Sequence, residues 1–260
     1  MDYTEQYVQY SDYSFENAGF KKLDFILTGI NKKFDEKKCN VLEIGCGVGN
    51  ISMVLASFGY DVLGVDLCQD SINEANRRKT NHQLSNIDFQ HKDANELKGN
   101  QKKYDVVICS EILEHLNSPL ELLELSSSLL TTEGILIITT PNGFGISELL
   151  KRIFKPIVQN PKIYRYYYQF GGNKISLQSM NFGEGGWHIQ YFTKKGLYKL
   201  FNRAGFDVIS EQSSNIISGI IPINLIIQKS SKLCKADLFL ADQMPSFLAN
   251  GWYFSLQRKQ

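Results

Sequence analysis

The sequence predicts a doubly wound α/β fold: a seven-stranded, mostly parallel sheet with its last strand antiparallel and insertions after strands five and six. Two observations carry this. Short β-branched runs alternate with amphipathic helical stretches, the rhythm of parallel βαβ units. A glycine-rich turn follows the first run and an aspartate ends the second, the places where such sheets hold ligands. The 260 residues, 43% hydrophobic and 21% charged, suffice for one domain (1–260) with sizeable insertions.

The elements follow in order. Residues 20–30 place Phe20, Leu23, Leu27 and Ile30 on one helical face. Strand one is Asn40 to Ile44, and the next helix carries Ile51, Val54, Leu55 and Phe58 at helical spacing until Gly59 ends it. Strand two is Asp61 to Val65, and Asp70 or Ser71 caps the helix after it. Strands three and four are Ile87 to His91 and Asp105 to Cys109. Ser118, Pro119 and Glu121 read as an N-cap, a proline at the first helical position and a capping-box glutamate. Gly134 precedes strand five, Ile135 to Thr139. After Pro141 the rhythm breaks, and it resumes where Thr193 caps a helix with Leu197, Leu200, Phe201 and Ala204 inward and Gly205 beyond its end. Strand six is Phe206 to Ile209 and the last strand is Trp252 to Gln257. Residues 20–145 thus form a ligand-binding core, and 146–190 and 210–251 are insertions.

Composition narrows the function. A formal net charge of +1 gives no global field for nucleic acid. The five cysteines lie far apart without a CxxC pair, which points to free thiols in a reducing cytoplasm. The polar opening MDYTEQYVQY does not read as a signal peptide. The apolar stretch Asn215 to Ile227 is too short to span a bilayer and contains Pro222.

The first turn reads VLEIGCGVGN, Val41 to Asn50, where Gly45, Gly47 and Gly49 let the backbone approach a ligand. A dinucleotide turn needs a third glycine where this chain has Asn50. Glu43 beside the turn would also oppose a pyrophosphate, whereas a cationic ligand avoids that conflict. Asp66, some twenty residues on, is placed to accept from ribose hydroxyls. Asp93 follows strand three, and Ser110 and Glu111 end strand four.

Together VLEIGCGVGN, VLGVD, HKDANEL, YDVVICSEILEHL and GILIITTPN resemble the successive motifs of class I S-adenosylmethionine-dependent methyltransferases, and YFTKKGLYKLFNRAGF resumes the likeness. The resemblance covers roughly residues 20–145 and implies a Rossmann-like sheet with S-adenosyl-L-methionine as cofactor. It implies that Gly45, Gly47 and Gly49 form the cofactor turn, with Glu43 orienting the turn or the methionine amine. Asp66 and Leu67 would meet the ribose and its surroundings, Asp93 and Ala94 the adenine, and Ser110 and Glu111 the methionine portion.

On the acceptor side, a hydroxyl needs a base, and a neutral histidine suits neutral pH. Of the four histidines, His82 reads as surface and His91 has no evident partner, leaving His188 and His115, with Glu111, as the catalytic candidates. If helical, the run Glu111, Glu114, His115 shares one face. It is similar to a run in the ubiquinone-biosynthesis O-methyltransferases and the small-RNA 2′-O-methyltransferases, where it binds a divalent metal, joined in the RNA enzymes by a later histidine. That resemblance implies the set Glu111, Glu114, His115 and His188, while in metal-free relatives the run serves packing and capping. The leading expectation is a site without metal.

Residues 149–183 carry no Asp or Glu but six Lys or Arg, with Tyr164, Tyr166, Tyr167 and Tyr168 among them. This suits a phosphorylated or lipid-linked substrate, or peripheral contact with an anionic membrane, against the plainer reading of a solvated lid. The ending DLFLADQMPSFLANGWYFSLQRK resembles small methyltransferases of bacterial surface-glycan assembly. The expectation is therefore O-methylation of a small-molecule hydroxyl, leaning to a sugar or lipid-linked glycan. The alternatives are metal-assisted methylation of an aromatic or quinone precursor, RNA methylation, and a non-catalytic cofactor-binding subunit.

Overall fold

The structure, a computed structural model, describes residues 18–35, 37–145, 188–216 and 230–259; the basic stretch 149–183 and positions 217–227 of the apolar stretch lie outside the described residues. In chain order the elements are α1 (Ala18–Phe34), β1 (Asn40–Ile44), α2 (Asn50–Ser57), β2 (Asp61–Asp66), α3 (Gln69–Asn81) and β3 (Ile87–His91). They continue with β4 (Tyr104–Ser110), α4 (Pro119–Leu129), β5 (Leu130–Pro141), α5 (Lys194–Arg203), β6 (Phe206–Ser213), α6 (Ser231–Gln243) and β7 (Gly251–Arg258). Short 3₁₀ turns stand at Ala94–Leu97, Leu113–His115 and Ser246–Leu248.

The sheet has seven strands in the order β3-β2-β1-β4-β5-β7-β6. Strands β3, β2, β1, β4 and β5 pair in parallel, and β7 runs antiparallel between β5 and β6. Central strands buried on both faces need unbroken apolar runs, and β1 and β4 supply them as NVLEI and YDVVICS. Alternation along β1 sends Val41 to one core with Ile26, Ile30, Met53 and Leu55, and Leu42 to another with Leu123, Phe201, Trp252 and Phe254. Strand order reverses between β1 and β4, so their carboxyl ends part there and open the crevice.

Several local expectations change. Ser118 makes no side-chain cap; Glu121 N–H donates instead to the Ser118 carbonyl, and no capping box forms. The N-cap position of helix α3 is Cys68 in place of Asp70 or Ser71, as Asp66 Oδ1 accepts from Cys68 N–H at 2.8 Å and turns the chain earlier. Strand β5 begins at Leu130 and β6 runs on to Ser213, since pairing with β4 and β7 extends them past their apolar centres. Thr193 does cap α5, accepting from Gly196 N–H at 3.1 Å.

Helix α1 and the second insertion are laced together. Buried Lys21 donates to the carbonyls of Ser214 and Leu238, both at 3.1 Å, and to Asp242 at 2.7 Å. Buried Asp237 accepts from Ile216 N–H at 3.1 Å. Among the described residues no helix is long and apolar enough to cross a membrane, and all five cysteines are free.

Candidate active site

The glycine turn is pulled over the end of the sheet by its own backbone. Gly45 and Cys46 N–H both donate to the Val65 carbonyl, at 2.7 and 3.1 Å. Gly45 has φ 71°, and a Cβ there would stand 2.7 Å from Ile112 Cδ1. Gly49 has φ 82°, and its Cβ would enter the Phe89 ring, so neither position tolerates a side chain. Behind the turn Glu43 is buried and accepts from Ser52 N–H at 3.0 Å and from the Ser52 hydroxyl. Burial pushes the Glu43 carboxyl up to about 7, against the Ser52 hydrogen bonds and the charge of Lys22. Glu43 thus acts on the turn through α2. Asn50, where a dinucleotide turn would need glycine, is held by Arg78, whose Nη1 donates to Asn50 Oδ1 at 2.8 Å and to the Val48 carbonyl at 2.9 Å.

Asp66 closes the turn from β2, its Oδ2 accepting from Gly47 N–H at 2.8 Å. His91, without an evident partner in the sequence, donates from Nε2 to the Leu67 carbonyl at 3.0 Å and so fixes the residue after Asp66. Asp93 caps the Ala94–Leu97 turn in a capping box, accepting from Asn95 N–H while Glu96 accepts from Asp93 N–H, both at 2.8 Å. Above these residues lies a cavity of about 880 Å³. Gly45, Asp66, Leu67, Asp93 and Ala94 line it together with Glu111, Ile112 and His115, and so do Ser118, Glu121 and Leu125. Leu67 is 69% exposed, an apolar face at the cavity edge. Glu43, Gly47, Gly49 and Ser110 stand behind the wall and do not line it.

At the end of β4 the expected helical face does not form. Glu111 adopts a left-handed φ of 55°, and the 3₁₀ turn begins only at Leu113. Glu111 therefore does not join the Leu113–His115 turn, and its Oε1 accepts from Lys22 Nζ at 3.1 Å and Thr139 Oγ1 at 2.9 Å. Desolvation raises the Glu111 carboxyl, but Lys22, Thr139 and His188 outweigh it and the net shift is downward. Glu114 is the opposite case, 1% exposed and pushed up to about 8 by burial and by the charge of Glu111. Its Oε1 has no hydrogen-bond partner among the described residues. The end of the first insertion brings the last member: Ile189 and Gln190 N–H donate to the Glu114 carbonyl at 2.9 and 3.0 Å, leaving the His188 ring 5.2 Å from that of His115. Ligand atoms of Glu114, His115 and His188 lie within 4.8 Å of one another. The four-residue metal set implied by the sequence contracts to these three, because the left-handed backbone at Glu111 turns that residue to Lys22.

A family model described as a methyltransferase domain matches residues 15–211. The chain belongs to the methyltransferase domain family. Relatives include a ubiquinone biosynthesis O-methyltransferase of Actinobacillus pleuropneumoniae, 32% identical over 126 residues, covering 46% of this chain and 52% of that protein. The chain thus matches about half the length of that relative. A protein of the same name from Roseobacter denitrificans is 28% identical over 213 residues, covering 76% of this chain and 78% of its own. In fold the chain is similar to the magnesium protoporphyrin IX methyltransferase of Synechocystis PCC 6803 with bound SAH, with a TM-score of 0.59 at 15% identity, covering 93% of this chain and 84% of that one.

Within this methyltransferase domain the sequence left several residues unread. Lys22, Arg78, Thr139 and Gln190 all serve the site through partners distant in the chain. Local pattern carries no signal for them: Lys22 reads as one more polar residue of an amphipathic helix. Glu121, whose spacing from Ser118 suggests a capping box, lines the cavity instead.

Proposed function

We propose that this methyltransferase domain moves a methyl group from S-adenosyl-L-methionine to the hydroxyl of a small molecule, taking the acceptor's proton at Glu114, His115 and His188. One observation carries the reading: this cluster abuts the wall of the cavity at His115. The cavity suits the donor. Asp66 retains acceptor capacity for ribose hydroxyls beyond its two backbone bonds, Leu67 offers an apolar face to a base, and Glu111 offers an anion to a cationic end. When bound, the donor supplies an electrophilic methyl carbon on a sulfonium. The chain's part is to align an oxygen with that carbon and accept its proton. His188, brought in by the end of the first insertion, is the proposed base, and His115 and Glu114 orient it. The acceptor class we favour is a sugar or lipid-linked glycan hydroxyl, suited to the basic stretch 149–183.

A second reading has its own observation. The buried Glu114 Oε1, which takes no hydrogen bond from the described residues, stands beside two histidines and fits a divalent cation, which would lower the pKa of a catechol-like hydroxyl on an aromatic or quinone precursor.

The experiment is a labelled-methyl transfer assay against sugar, glycolipid and catechol acceptors, before and after exhaustive chelation. Transfer to a sugar or glycolipid that survives chelation supports the first reading. Transfer to catechol that chelation abolishes and a divalent ion restores supports the second. His188→Ala should slow single turnover by roughly 10²–10⁴-fold with SAH affinity nearly unchanged. Full turnover in a folded His188→Ala protein overturns its role as base.

A further inference from the structure

Glu111 lines the cavity, yet nothing in its own segment holds it there. Its backbone is left-handed, and a non-glycine residue stays in that region only when its surroundings enforce it. Thr139 of β5 does so at the backbone, its carbonyl accepting from Glu111 N–H at 2.9 Å, and two distant elements hold the side chain. Thr139 of β5 donates to Glu111 Oε1 at 2.9 Å, and Lys22 of α1 donates to the same oxygen at 3.1 Å and to Ser110 Oγ at 3.3 Å. The other carboxylate oxygen takes no hydrogen bond from the described residues. Lys22 does not line the cavity, and its side chain is 13% exposed.

Lys22 is not needed to dock its helix. Leu23, Ile26, Leu27 and Ile30 bury α1 against the core, and Lys21 fixes its position through Ser214, Leu238 and Asp242. A helix so anchored presents the Lys22 ammonium at a set place.

We propose that Lys22 is a positioning residue that fixes the Glu111 carboxylate on the cavity wall, ready to receive the cationic amino end of the methyl donor. This rests on the donor assigned under the proposed function. The interaction is present before the ligand arrives, so no ordering of Glu111 is charged against binding.

A double-mutant cycle tests it, with SAH as the probe because it retains the amino group. Calorimetry is run on the unsubstituted protein, Lys22→Met, Glu111→Gln and the double variant, with thermal denaturation as a check on folding. Lys22→Met should weaken SAH binding about tenfold, and the double variant should bind no worse than Glu111→Gln alone. Lys22→Arg, which keeps the charge, should recover most of the loss. If Lys22→Met does not fold, Lys22→Gln enters the same cycle. Unchanged SAH affinity in the folded Lys22 variant overturns the inference, and so do additive losses in the double variant, which place the effect of Lys22 elsewhere. Absence of SAH binding by the unsubstituted protein overturns the donor assignment and this inference with it.

Discussion

Three glutamates of one site show how far surroundings outweigh residue type. Burial raises Glu43 to about 7 and Glu114 to about 8, while Lys22 and Thr139 bring Glu111 down despite desolvation. The consequences for stability have opposite signs. Between about 4.5 and these raised values, the folded chain holds protons at Glu43 and Glu114 that the unfolded chain has released, so stability falls as pH rises through that window. Glu111 contributes stability that is present above the ordinary carboxylate range and is lost in acid. Glu43→Gln keeps an acceptor for Ser52 and removes the charge. It should flatten the fall up to about pH 7 and raise stability at about pH 8 by on the order of 2–3 kcal/mol. Urea unfolding at several pH values checks this, and a slope untouched by the substitution would assign the titration to other groups.

At the scale of elements, the segment from His188 to Thr193 holds His188 against His115. It is pinned to the Leu113–Asn117 loop, with Gln190 Nε2 donating to the carbonyls of Leu116 at 2.7 Å and Asn117 at 3.1 Å. It is pinned to α5 by the Thr193 cap. Gln190→Ala leaves the two carbonyls without their partner and should cost about 1–2 kcal/mol. The segment does not line the cavity, so SAH affinity should hold while turnover drops, as His188 loses its register against His115. Parallel measurement of SAH binding and single-turnover rate separates these effects; a loss of SAH affinity would show that the segment supports the cavity itself.

For the whole molecule, the reversal of strand order between β1 and β4 puts the cavity where four loops meet. Ligand binding there should stabilise the fold as a unit. SAH at a hundredfold its Kd should add about 2.7 kcal/mol to the unfolding free energy, whereas NAD at the same concentration should leave Tm unchanged. Calorimetric scans with each ligand make the comparison. A larger rise with NAD would reverse the reading of Asn50 and Glu43 as unsuited to a dinucleotide.

The alternation of strands and helices, the glycine turn, Asp66 at the end of β2 and the Thr193 cap were legible in the sequence because each is a local matter. Side-chain period, a positive φ and a capping oxygen are decided within a few residues. The left-handed Glu111 was not legible, because Lys22 and Thr139 overrule the helical spacing of Glu111, Glu114 and His115 from helix and strand far away in the chain. Nor was the grip of Arg78 on Asn50, or the hold of Gln190 on the Leu116 and Asn117 carbonyls. These depend on which strands become neighbours, and that is settled by burying two faces of one sheet at once, which no local pattern records.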